Sequence, residues 1–152
     1  MQPRLQSLLM WIAAAAFAAC WFLPVLDGIS GWQAFRSALA PLVPYGDFRE
    51  TRWDDAVPQV MSALTNVMFV VLFGLWLSRQ LARPGMFVKL ALACFILNLY
   101  WPVQAARAGQ LADLRYGYYL WLAAFALLLA TAILSAFSAR RTSRIPTADT
   151  PP

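Results

Sequence analysis

Histidine is absent from this chain, and cysteine occurs only at Cys20 and Cys94. The absence of histidine excludes histidine-ligated haem or zinc, histidine triads and histidine proton relays. Both cysteines lie inside long apolar stretches, so we interpret them as small buried hydrophobes and expect neither a disulfide nor a thiol redox pair. No glycine-rich phosphate loop precedes a suitable helix. We therefore predict that the protein is not an enzyme, with no catalytic residue, no metal ligand and no cofactor.

Charged residues are scarce, at 12% of the chain, whereas hydrophobic residues make up 61%. This composition is too apolar for an ordinary soluble domain. Four apolar stretches, 8–26, 56–78, 86–104 and 116–137, are long enough to cross a bilayer core. We predict an all-α integral membrane protein, with a four-helix transmembrane bundle over residues 1–138 in contact with the lipid bilayer. The polar segment 139–152 is typical of a disordered cytoplasmic tail.

Lysine and arginine collect beside the ends of the apolar stretches, which indicates a membrane protein and argues against nucleic acid as a partner. One set of flanks is basic and carries Arg4, Arg79, Arg83, Lys89, Arg140, Arg141 and Arg144, with Asp149 as its acid. The other set is mixed and carries Arg36, Arg49, Arg52, Arg107 and Arg115 with Asp27, Asp47, Glu50, Asp54, Asp55 and Asp113. Because basic residues near span ends favour the cytoplasm, we predict that both termini face it. Alanine and arginine richness favours a bacterial source, and hence a multi-pass protein of the cell inner membrane.

The first apolar stretch has two interpretations. A base, an apolar run and small residues near Cys20 are also features of a cleaved secretory signal, and FAAC loosely resembles a lipoprotein processing site. The run continues through Trp21 to Leu26, however, and so reaches spanning length. We therefore expect this segment to be retained as a transmembrane helix.

The second and third stretches form a predicted hairpin around a basic turn that ends with Pro84 and Gly85. Asn66 and Asn98 are equidistant in sequence from Ala82, so an antiparallel pair of helices places them at similar depth. An amide facing lipid would leave its polar groups unpaired, so we expect both amides to face inward, where each is the candidate partner of the other. Gln59 and Ser62 precede Asn66 on the same helical face. We predict that these side chains, Gln59, Ser62, Asn66 and Asn98, make polar contacts between helices.

The predicted outer loop, residues 27–55, is rich in aromatic and charged residues. A capping residue, Ser30, precedes apolar positions at helical spacing, which predicts a short interfacial amphipathic helix. Aromatic and arginine side chains often anchor protein interfaces. The candidate partner-binding residues of this loop are therefore Trp32, Phe35, Arg36, Phe48, Arg49 and Trp53.

The function favoured by these patterns is that of a non-catalytic interaction protein, such as an assembly factor, accessory subunit or protective partner. Its expected partner is a membrane or periplasmic protein, and a second copy of the chain is a further candidate. The alternative is an oligomeric transporter or channel with a polar path through Asn66 and Asn98. Small multidrug exporters, which the four short spans resemble in outline, rely on an acid in the first span, and segment 8–26 has none.

Overall fold

The computed structural model describes residues 2–43, 53–78 and 84–142. Its helices are α1 (Gln2–Cys20), α2 (Gly31–Leu39), α3 (Trp53–Leu77), α4 (Pro84–Arg107) and α5 (Tyr116–Thr142). Two short strands, β1 (Pro24–Leu26) and β2 (Ile29–Ser30), lie between α1 and α2, and a 3-10 turn at Leu111–Asp113 precedes α5. The prediction of a mainly helical chain is confirmed.

Three helices are long and apolar enough to cross a membrane, over Ala56–Leu77, Pro84–Arg107 and Tyr116–Ala139. They match the last three predicted spans, with boundaries a few residues apart. The predicted turn residues Pro84 and Gly85 belong instead to the first turn of α4. A proline is tolerated there because its missing N–H would have no partner inside the helix in any case. The first apolar helix, Arg4–Cys20, is shorter.

The helix of the first segment ends at Cys20, and the prediction that it continues to Leu26 was wrong. Pro24 disfavours helical backbone in the residue before it, which explains a helix end upstream of this position. Beyond Pro24, β1 and β2 form an antiparallel hairpin whose turn is Asp27 and Gly28. Gly28 has a φ of 70°, a left-handed conformation that glycine adopts without a steric penalty.

One buried core joins α1, α3, α4 and α5. Its centre is aromatic: Phe17 of α1 stacks on Phe69 of α3 with ring centroids 4.1 Å apart, and Phe125 of α5 meets Phe69 edge-on at 5.3 Å. The helices approach each other through buried alanines at Ala13, Ala91, Ala124 and Ala132. Small residues of this kind allow close helix packing when lipid surrounds the bundle.

The hairpin and α2 cover one end of this bundle. The backbone N–H of Arg115 donates to the carbonyl of Val25 at 3.0 Å, which fixes β1 against the start of α5. The Arg115 guanidinium also pairs with Asp27 at 2.7 Å. Ser30 is the N-cap of α2 and forms a capping box with Gln33, so the helix begins at the expected capping residue. Together, residues 24–39 form a layer, hereafter the end cap.

We predict that Gly117→Ala destabilises the junction between the end cap and α5. A Cβ at Gly117 would lie 2.5 Å from the carbonyl oxygen of Pro24, closer than atoms can pack, so the strand would have to move away. Gly74→Ala is the matched control, because a Cβ at that helical position meets nothing within 4 Å. Thermal unfolding in detergent should show a lower midpoint for Gly117→Ala and an unchanged or higher midpoint for Gly74→Ala. Equal midpoints would contradict the close approach of β1 to α5.

Candidate functional site

A polar cluster lies between α3 and α4. The side chain of Asn98 on α4 is fully buried, and its Oδ1 accepts from Thr65 Oγ1 at 3.1 Å and from Ser62 Oγ at 3.4 Å. The Thr65 hydroxyl also lies 2.6 Å from the Ser62 carbonyl oxygen. A hydroxyl has one hydrogen to donate, so Thr65 shares it between two acceptors. These contacts connect the two helices through side-chain oxygens of one amide and two hydroxyls.

Asn66 has different partners from Asn98. Its Oδ1 accepts from the indole Nε1 of Trp121 on α5 at 2.8 Å, and its Nδ2 donates to the Ala63 carbonyl at 3.2 Å. The predicted bond between the two amides is therefore not formed. The reason is rotational: successive helical residues are about 100° apart, so Thr65 faces α4 while Asn66 faces α5.

Tyr118 of α5 completes the connections among the three helices. Its hydroxyl donates to the backbone carbonyl of Asn98 at 2.5 Å, and its ring lies 5.4 Å from that of Trp121. The Nδ2 of Asn98 is buried, and it has no hydrogen-bond partner among the described residues. An unpaired buried donor is costly, so the network retains one unsatisfied group at its centre.

A partly enclosed cavity of about 300 Å³ separates the end cap from this network. Its wall on α3 consists of Gln59, Ser62, Ala63 and Asn66, which share one helical face. Five aromatic residues also line it, Trp21, Phe35, Trp101, Tyr118 and Trp121, together with mainly small and aliphatic residues of the end cap. Of the described residues that line it, none carries a charge. The predicted polar stripe of α3 thus faces a cavity as well as neighbouring helices.

The predicted partner-binding residues are only partly described. Trp32 is 54% exposed on α2, with its ring 5.8 Å from Trp21 and 6.1 Å from Phe35. Phe35 is half-buried against Trp21, and Arg36 is exposed. Phe48 and Arg49 lie outside the described residues, as does the side chain of Trp53. The structure therefore groups two of the six predicted residues in one aromatic cluster.

Sequence reasoning missed the hydrogen bonds of Tyr118 and Trp121. Both residues combine a large ring with one polar atom, and buried examples usually find a partner for that atom. The hairpin was also missed, although an Asp-Gly pair between apolar residues is a strong turn signal.

The described residues contain no group of three or more possible metal ligands, and their two cysteines are buried and free.

Comparisons with protein-family models, with curated proteins and with solved structures found no match for this chain. Functional assignment therefore rests on the chemistry and geometry of its own residues.

A double-mutant cycle tests the contact between Thr65 and Asn98. Thr65→Val and Asn98→Leu each remove the hydrogen bond between these two side chains. The changes that they cause in the free energy of unfolding should therefore be non-additive, by about 0.5 to 1 kcal/mol. Asn66→Leu combined with Asn98→Leu is the control, since these amides have separate partners. Its effects should add to within about 0.5 kcal/mol. The measurement is equilibrium unfolding in mixed micelles. Strong coupling in the control with none in the first cycle would instead favour direct pairing of the amides.

Proposed function

We propose that this protein spans the inner membrane four times, with both termini in the cytoplasm, and acts there as a non-catalytic interaction protein.

The placement of α1 supports the four-span topology. Gln6 near the start of α1 donates to Ser138 near the end of α5 at 3.0 Å. At the opposite end, Phe17 meets Phe125, and the chain beyond α1 contacts the start of α5. The two helices therefore run antiparallel along most of their length.

The length of α1 agrees with a spanning role. Its apolar part, Arg4–Cys20, extends about 25 Å at about 1.5 Å per residue, at the short end of what crosses a hydrocarbon core of about 30 Å. Because α5 is itself long and apolar enough to span, a helix packed along it shares its surroundings. Large apolar side chains such as Leu8, Trp11 and Ile12 are exposed on α1, as expected for a surface that contacts lipid.

The aromatic residues near the end cap support its position at the membrane surface. Tyr100 and Trp101 lie at this end of α4, and Tyr116 and Tyr119 lie at this end of α5. Tyrosine and tryptophan favour the boundary between lipid and water. In this arrangement α2 lies at the outer boundary, while the basic flanks of the other bundle end face the cytoplasm.

The exposed ring of Trp32 is the observation that supports an interaction function. It projects from an end cap that is held by backbone hydrogen bonds, including one from its own N–H to the Trp21 carbonyl at 3.0 Å. A tryptophan that is already oriented loses little conformational entropy when a partner covers it, and such residues often dominate interfaces. We therefore propose Trp32, with Phe35 and Arg36 beside it, as the docking surface for a membrane or periplasmic protein.

Transport receives less support from the geometry. The amide oxygens of Asn66 and Asn98 are both engaged by neighbouring helices, and the polar groups connect α3 to two different helices. We therefore rank the interaction function first.

Replacing Trp32 with alanine should weaken the partner complex. Loss of a central aromatic anchor typically costs about 2 kcal/mol, or roughly thirty-fold in affinity. Trp11→Ala is the matched control, because Trp11 is an equally exposed tryptophan, at 55%, that lies in the middle of α1 and outside the end cap. Partners should be cross-linked in native membranes, identified, and verified by reciprocal purification with both variants. Equal recovery of the identified partner with Trp32→Ala and with the unchanged chain would remove Trp32 from the docking surface.

A further inference from the structure

We propose that the cavity between the end cap and the helices binds an uncharged amphiphile whose apolar body lies among the aromatic rings and whose carbonyl oxygen accepts from α3. The shape of the site is suited to such a molecule. A volume of about 300 Å³ is at the lower end of the range of small-molecule sites. The absence of charge among its described lining residues disfavours an ionic ligand, which would be left desolvated and unpaired.

The donors on α3 define the polar end of the ligand. A side-chain amide has two N–H groups, and the Nδ2 of Asn66 uses one of them for the Ala63 carbonyl. Its Oδ1 accepts from Trp121, and its second N–H is a donor that Asn66 can offer to a ligand. Gln59 lies two turns earlier on the same face and also lines the cavity. Among the described residues, no hydrogen bond involves its side-chain amide. Asn66 and Gln59 thus offer two alternative donors, about two helical turns apart, to the carbonyl oxygen of a ligand.

The aromatic surface defines the apolar end. Trp21 directly follows α1 and Phe35 belongs to the end cap, whereas Trp101 and Trp121 come from α4 and α5. These rings line the same cavity as the polar residues of α3, so one molecule in the cavity can contact both. Acyl esters and prenyl quinones each combine a carbonyl oxygen with a long apolar chain, and both kinds of molecule dissolve in the bilayer.

The side of the cavity that α2 forms can be altered without changing a residue of the bundle core. Helix α2 contains no buried residue, and Ala38 in its last turn is half-buried at the cavity edge. A phenylalanine at this position would occupy cavity volume. Ala126→Phe is the matched control, because Ala126 is exposed on α5 and does not line the cavity.

The test uses the full chain in phosphatidylcholine nanodiscs, labelled with a diazirine-bearing monoacylglycerol and mapped by mass spectrometry. We expect saturable adducts on the segments that line the cavity, reduced at least five-fold in Ala38→Phe and unchanged in Ala126→Phe. Competition by 1-oleoylglycerol identifies a lipid ester as the ligand class, and competition by decylubiquinone identifies a quinone. Both results support the proposal, whereas failure of both competitors to displace the probe overturns it.

A ligand-side control keeps the test independent of protein folding. The glyceryl ether 1-oleyl glycerol has nearly the same chain and head as 1-oleoylglycerol but lacks the carbonyl. It should compete at least five-fold less well with the unchanged protein, and the difference should become smaller in Gln59→Leu, which removes one of the two donors. Equal competition by ester and ether in the unchanged protein would overturn the assignment of a carbonyl-binding site on α3.

Discussion

The antiparallel packing of α1 against α5 is the interaction on which the other features of this structure depend. Ala13 on α1 and Ala124 and Ala132 on α5 are fully buried, so the two backbones approach closely at these positions. Such packing is an effective source of stability in lipid, where apolar surface gains little by leaving its surroundings. It brings the first and last helices together and places the end of α1 beside the start of α5. The hairpin can therefore dock on α5 directly after α1 ends.

The end cap and the polar network have complementary roles in this arrangement. Lipid offers no hydrogen bonds, so the polar side chains of α3 need partners inside the protein. Thr65 and Ser62 find one in Asn98, and Asn66 finds one in Trp121. The end cap covers one part of the same polar face, Gln59 to Asn66, without filling the space between itself and the helices. A cavity with donors on one wall and rings on the others follows from this incomplete closure.

Hydrophobic length and the position of basic residues were enough to predict the three long helices, and Ser30 correctly marked the start of α2. The amide pairing could not be predicted from equal distance to the turn, because partner choice depends on helix rotation. One residue separates Thr65 from Asn66, yet they face different helices. Tertiary contact also determined the structure of residues 24–26, whose apolar side chains suit a membrane span and a docked strand equally well. Pro24 and the Asp27–Gly28 turn were the local signals that distinguished the two. The charged part of the predicted outer loop, including Phe48 and Arg49, lies outside the described residues.

The most direct test of the four-span account is the sidedness of single cysteines in a chain with Cys20 and Cys94 replaced. A membrane-impermeant maleimide applied to intact cells should label Asp27→Cys, at the hairpin turn, and should label Gln2→Cys, at the start of α1, only after the membrane is opened. The account predicts this difference because α1 carries the chain from one side of the membrane to the other. Equal labelling of both positions in intact cells would show that α1 does not cross, and would contradict the account.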